Sequence, residues 1–218
     1  MKVMCATAAC FLTATMALGA VEIGLDLAAV DAALRLGRSG SDRDLQRYHA
    51  SYRHVVGKAP VDYLEIVTPF RRLVMTAETR ARIGDRTFGQ RQALEMVGDT
   101  AGRIDVQAEF TFHPLNNYVG VPDYAIFLQE SATSGRPTAA PTGYERVPRF
   151  GARVEGAPLL LPPVPGGIAP GKSQPMLGGA VIAHFDGRGL NPTAVYDVVV
   201  EEAGKELARA RVDFAKLR

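Results

Sequence analysis

The sequence predicts an α+β fold, with helices in the first half of the chain and antiparallel strands in the second half. Twelve of the 14 prolines in the 218-residue chain lie after residue 100, and proline interrupts long helices. Near the same position, the apolar residues change from helical spacing to the alternation of a strand. The content of 47% hydrophobic and 22% charged residues is typical of a folded globular protein.

The first twenty residues have the pattern of a signal peptide. Lys2 is followed by an uncharged run, 3–20, that ends in small residues. We therefore expect export to the periplasm or the cell exterior, with cleavage after Gly19 or Ala20. Both cysteines of the chain lie in this segment, so the mature chain would hold no thiol and no disulfide. The alternative is a membrane anchor formed by 3–20.

Residues 21–100 form the predicted helical region, with about four helices. Capping residues and apolar spacing place these helices near 27–37, 41–57, 68–84 and 87–97. The strongest start signal is Thr68 followed by Pro69, because proline fits the first turn of a helix. Gly37 is predicted to end the first helix in the left-handed conformation. The apolar run 61–67 fits a strand or a helix equally.

Residues 101–218 form the predicted β region. Apolar and polar residues alternate from Arg103 to His113, which predicts a half-buried strand, and Tyr124–Leu128 is predicted to return as its partner. Further alternation occurs at 180–185, 194–200 and 208–214, the last two joined by a hairpin at 202–205. At least five strands favour an antiparallel sandwich similar in outline to an immunoglobulin-like domain, without its Cys, Trp, Cys set.

The segment 132–175 interrupts the β region and contains 9 prolines and 7 glycines. This composition predicts loop, edge strand or an extended arm. It also contains a match to the P-loop pattern at Gly166, Gly171, Lys172 and Ser173. A P-loop needs a buried strand before it and a helix after it, and prolines on both sides oppose these elements. We therefore interpret the match as accidental and expect no nucleotide site.

Other compositional signals exclude several functions. The formal net charge of +2 is far below the basic excess of a dedicated nucleic-acid binder. The four histidines show no H-E-x-x-H motif and no i, i+4 pair, so we expect no metal site. Nothing in the sequence indicates a cofactor.

A polar cluster in the helical region is the candidate binding site. Between Arg35 and Arg91 there are 12 Lys and Arg residues against 6 Asp and Glu residues. Such a surplus suits an anionic ligand, an anionic envelope polymer or the carboxylates of a partner. The candidate site residues are His49, Tyr52, Arg71, Arg72 and Arg91. The alternative is that Glu78 pairs with Arg82 and the other arginines only solvate helix faces.

These observations favour an exported, non-enzymatic envelope protein with a binding or structural role. Its partner would be another envelope protein or an anionic ligand. The alternative is a hydrolase or transferase with its acid and base in the helical half. In that case His49 would act together with Glu65 or Glu78.

Overall fold

The computed structural model describes residues 20–113, 116, 118–131, 139–150 and 176–218. This part of the chain contains four α-helices, eight strands and two short 3-10 turns, at Gly187–Gly189 and Phe214–Lys216. The helices are α1 (Leu27–Gly37), α2 (Asp42–Ala50), α3 (Pro69–Arg82) and α4 (Gln90–Asp99). The strands are β1 (Arg53–Lys58), β2 (Val61–Val67), β3 (Arg103–Thr111), β4 (Tyr124–Glu130), β5 (Gly143–Phe150), β6 (Met176–Asp186), β7 (Val195–Glu202) and β8 (Lys205–Asp213). The α+β class is confirmed.

The helix starts follow the capping residues of the sequence. The Asp26 side chain accepts a 2.7 Å hydrogen bond from the Ala29 amide at the start of α1. Thr68 accepts one of 3.2 Å from the Arg71 amide at the start of α3. After α3 the chain leaves the helix at Gly84, whose φ of 74° lies in the left-handed region.

Gly37 has a different role from the predicted left-handed cap. It is the last residue of α1 and lies against α3. A Cβ atom at Gly37 would lie 2.5 Å from the Val74 carbonyl oxygen and 2.7 Å from the Ala77 Cβ. Only a residue without a side chain allows the two helices to approach this closely. The core of this helical layer consists of Ala29, Val30, Ala33, Leu34, Leu45, Phe70, Leu73, Val74, Ala77, Phe88 and Ala93.

The predicted second helix is too long, and the prediction of helices first and strands afterwards is wrong. The α2 helix ends at Ala50, and the chain continues as β1, which contains the β-branched pair Val55 and Val56. Such residues favour strands when a partner strand is near. The ambiguous run 61–67 is that partner, β2, which pairs with β1 in the antiparallel sense. Two strands therefore lie within the predicted helical region.

The strands form two antiparallel sheets. The first sheet has the order β1-β2-β3-β6-β5 and the second has the order β4-β7-β8. The predicted pairing of 124–128 with β3 is therefore wrong, because β4 pairs with β7. Both edges of β3 are occupied by β2 and β6. Proximity in sequence predicted the wrong partner because the pairing of β3 is non-local.

One hydrophobic core joins the two sheets. It includes Ile66, Phe110 and Val181 from the first sheet and Tyr124 and Val198 from the second. Across it, the rings of Phe110 and Tyr124 stack with centroids 4.2 Å apart. The immunoglobulin-like arrangement of the two sheets remains a prediction.

Two features of the β region follow the sequence closely. The β7–β8 hairpin turns at Ala203 and Gly204, with φ values of 49° and 77°, as a tight two-residue hairpin requires. The β5 strand, within 132–175, is an edge strand.

Two predictions concern segments outside the described residues. These segments are residues 1–19, which hold most of the predicted signal peptide, and the P-loop-like match at 166–173.

Candidate functional site

The structure brings together three of the five predicted site residues. The rings of Tyr48 and His49 have centroids 5.3 Å apart, and those of Tyr48 and Tyr52 are 5.1 Å apart. The guanidinium carbon of Arg71 lies 4.8 Å from the centroid of Tyr52. Arg91 is 83% exposed on α4 and has an ion pair of 3.9 Å with Glu95. Arg91 thus serves as an ordinary surface residue of a helix.

Arg71 is a buried structural residue. It is 1% exposed, donates a 2.5 Å hydrogen bond to the Ile66 carbonyl and pairs with the carboxylate of Glu65. Arg53 on β1 donates to the second oxygen of the same carboxylate at 3.1 Å. One carboxylate is therefore shared by two arginines, one 50% exposed (Arg53) and the other buried (Arg71).

Arg72 points to a different strand. Its guanidinium donates to the Asp105 carboxylate on β3 at 2.7 Å. The other oxygen of Asp105 lies 2.8 Å from the Nδ1 atom of His184 on β6. All three side chains are largely buried, with at most 21% of each exposed. This network ties α3 to the sheet and holds the guanidinium of Arg72 against Asp105.

Tyr52 is occupied by the backbone of Arg218. Its hydroxyl donates to the Arg218 carbonyl at 2.8 Å and accepts from the Arg218 amide at 3.1 Å. Thr68 donates to the same carbonyl at 2.5 Å. Tyr52 therefore fixes a segment of the chain rather than a ligand.

Tyr48 on α2 belongs to this cluster and is not among the predicted site residues. Its hydroxyl is buried and makes no hydrogen bond within the described residues. Burial, reinforced by the neighbouring Tyr52, raises the pKa of Tyr48 far above its ordinary value.

Beside this cluster, an open cavity of about 670 Å³ is lined by residues of α2, β1 and α3. One face of α2 forms a wall, since the lining positions recur at helical spacing. Its lining residues are Asp42, Leu45, Gln46, His49, Ala50, Arg53, Glu78 and Arg82. This volume suits a metabolite or a short peptide.

A bridged carboxylate joins the two helices at this cavity. The Nε2 atom of His49 lies 2.8 Å from Oε2 of Glu78, and Arg82 donates to Oε1 of Glu78 at 2.6 Å. The predicted Glu78–Arg82 pair is therefore confirmed. Glu78 also lies beside His49, as the alternative hypothesis of an acid and a base requires, whereas Glu65 is bound by two arginines.

The arrangement of His49 is unfavourable for proton transfer to a ligand. Its Nε2 atom is engaged by Glu78, and its Nδ1 atom is buried without a hydrogen-bond partner among the described residues. A general acid or base needs a nitrogen within hydrogen-bond reach of the substrate. The imidazole therefore links α2 to α3 at the cavity wall.

Arg53 and Arg82 are the two cationic cavity residues that the sequence did not indicate as site residues. Arg53 lay within the predicted second helix, and its position on β1 became apparent only from strand pairing. Its guanidinium carbon lies 4.3 Å from the centroid of the Tyr63 ring. In sequence, Arg53 differs in no way from the other arginines of the basic cluster.

The described residues contain no cluster of three or more His, Cys, Asp or Glu side chains that could hold a metal ion. None of the helices described is both long and apolar enough to cross a membrane. Comparison of the chain with protein-family models, curated proteins and solved structures gives no match.

Proposed function

We propose that this chain is an exported, non-enzymatic binding protein whose ligand site is the cavity between α2 and α3. The observation that supports this most directly is the cavity itself, about 670 Å³ in volume and lined by a full face of α2. A face that alternates polar groups with Leu45 and Ala50 suits a small ligand with a few fixed polar contacts.

Binding fits this site better than catalysis. The Nε2 atom of His49 is engaged by Glu78, its Nδ1 atom is buried, and both oxygens of Glu78 are engaged by His49 and Arg82. A hydrolase or transferase would need at least one of these groups to exchange a proton with the substrate. The same hydrogen bonds hold the cavity wall in one geometry, which lowers the entropic cost of binding.

The β region acts as the scaffold in this proposal. An immunoglobulin-like sandwich would present α2 and α3 at one end of a rigid core, as binding loops are presented in such folds. The attachment of α3 to β2 and β3 through Arg71 and Arg72 supports this assignment.

Export rests on the signal-like segment 1–20, and amino-terminal sequencing of the mature protein should find Ala20 or Val21 first.

A cavity-filling variant tests the site. Ala50→Phe adds a ring to the cavity wall, and Ala81→Phe adds the same ring to an exposed position of α3 outside the lining. Native mass spectrometry of the purified wild type, followed by thermal-shift titration of the molecules it retains, would measure binding. We expect Ala50→Phe to abolish binding and Ala81→Phe to leave it within about twofold.

Two results would overturn the proposal. One is that Ala50→Phe, folded by circular dichroism, binds the retained molecule as tightly as Ala81→Phe does. The other is chemical conversion of that molecule by the wild type with turnover, which would favour the hydrolase or transferase instead.

A further inference from the structure

Arg53 on β1 and Asp42 at the start of α2 place a positive and a negative charge at different positions of the cavity lining. We infer from this arrangement that the ligand carries a single carboxylate, bound by Arg53. This inference rests on the proposed function, because it names the class of ligand for the same cavity. It departs from the sequence-based prediction, in which Arg71, Arg72 and Arg91 served an anionic ligand.

Arg53 is the cavity-lining arginine whose carboxylate partner is shared with a second arginine. The carboxylate of Glu65 is shared between Arg53 and Arg71, and Arg71 is buried beside it. Because a buried guanidinium must be paired, Glu65 is required to neutralise Arg71. The charge of Arg53, whose side chain is 50% exposed, is therefore available to a ligand.

The guanidinium of Arg53 is also preorganised for binding by its contacts within the protein. One amino group donates to Glu65 at 3.1 Å, and the guanidinium plane lies over the ring of Tyr63 at 4.3 Å. A guanidinium has five N–H donors, and Arg53 uses one of them for Glu65. Its remaining donors suit the two parallel hydrogen bonds that a carboxylate accepts.

Asp42 limits the ligand to one negative group. It stands at the first residue of α2, seven positions before His49, which is about 10 Å along a helix axis. It has no ion pair among the described residues. The other carboxylate of the cavity lining, that of Glu78, has its negative charge balanced by Arg82, which donates to it at 2.6 Å. A second anionic group near Asp42 would therefore be repelled.

Matched pairs of acids and amides test this inference, because they differ in charge and little in size. The pairs are hexanoate with hexanamide, benzoate with benzamide, and N-acetyl-dialanine with its carboxyl-terminal amide. The first two represent free acids, and the third represents the end of a peptide chain. Saturation-transfer NMR at millimolar concentration measures the affinity of each probe for the wild type.

We expect at least one acid to bind about tenfold more tightly than its amide, as one charge-assisted hydrogen-bond pair supplies. Arg53→Gln should remove that preference, whereas Arg91→Gln, at an exposed residue outside the cavity, should keep it. Asp42→Asn should tighten binding of the acid. Circular dichroism and thermal melts verify that each variant is folded.

The inference is overturned if no acid binds better than its amide or if Arg53→Gln keeps the preference. Weaker binding of the acid to Asp42→Asn would also overturn it, since it would mean that Asp42 holds a cationic group of the ligand. The variant Ala50→Phe separates this failure from that of the proposed function. If Ala50→Phe loses all probe binding while acids and amides bind the wild type equally, the cavity is still the ligand site and only the carboxylate inference fails.

Discussion

Arg71 and Arg72 are adjacent in sequence but pair with carboxylates on two different strands. Arg71 pairs with Glu65 of β2, and Arg72 donates to Asp105 of β3. Successive side chains on a helix diverge by about 100°, which allows the two guanidinium groups to reach separate strands. The first turn of α3 is thereby attached to the sheet at two points.

We expect Arg71→Met to destabilise the protein by about 3 kcal/mol, because Glu65 would lose the buried partner beside it. Because Arg53 still pairs with Glu65 in this variant, the expected loss of stability is at the low end of the range for breaking a buried ion pair. Arg91→Met is the matched control, and its cost should be within about 0.5 kcal/mol because Arg91 is exposed. Urea denaturation measures both.

The double variant Glu65→Leu with Arg71→Met provides the complementary result. Replacing both charges by apolar side chains removes the unpaired charge, so most of the lost stability should return. Equal costs for Arg71→Met and Arg91→Met would show that the Arg71–Glu65 pair does not contribute to stability.

The sequence predicted those elements whose signals are local. Thr68 and Pro69 define the start of α3, alternation defines β3, and the turn at Ala203 and Gly204 defines the last hairpin. It failed where a partner distant in sequence decides the structure. Val55 lies within the predicted second helix, 41–57, yet pairing with β2 makes it part of a strand.

The candidate site was predicted only in part for the same reason. The enzymatic alternative placed His49 beside Glu65 or Glu78, and of these two acids it is Glu78 that lies beside His49 and lines the cavity. Arg53 and Arg71 look alike in sequence, although one reaches the cavity and the other is buried. Which arginine is free depends on how Glu65 is shared, and that is a tertiary contact.

Two phenylalanines test the shared core of the sheets. Phe110 is fully buried between the sheets, whereas Phe150 at the end of β5 is 50% exposed. We expect Phe110→Ala to cost about 3 to 5 kcal/mol, and Phe150→Ala to cost less than about 1.5 kcal/mol. Chemical denaturation measures the difference, and equal costs would contradict the placement of β3 in the core.

The hydrogen bonds of Tyr52 give a second test of stability. Tyr52→Phe keeps the ring but removes both bonds to the Arg218 backbone. We expect a loss of about 1 to 2 kcal/mol, because the part-buried amide of Arg218 would lose its acceptor. Tyr118→Phe, at a residue 42% exposed, is the control and should change stability by less than about 0.5 kcal/mol. A cost for Tyr52→Phe no greater than that of the control would contradict these bonds.

Tyr48 should make the protein sensitive to alkaline pH. Its pKa is raised in the folded state, chiefly by burial, while the unfolded chain has the ordinary tyrosine value of about 10. Above that pH the unfolded state releases a proton that the folded state retains. The contribution of Tyr48 to stability is therefore full below about pH 10 and is lost as the pH rises further.

Tyr48→Phe isolates this effect. At pH 8 the variant should be as stable as the wild type or about 1 kcal/mol more stable, because it removes a buried hydroxyl without a hydrogen bond. Burial also raises the pKa values of Tyr124 and Tyr196, so both proteins should lose stability at pH 11. The wild type should lose up to about 1.4 kcal/mol per pH unit more than the variant. Urea denaturation at pH 8 and pH 11 measures the two losses, with Tyr118→Phe as the control, and equal losses for wild type and Tyr48→Phe would show that Tyr48 is ionised in the folded state.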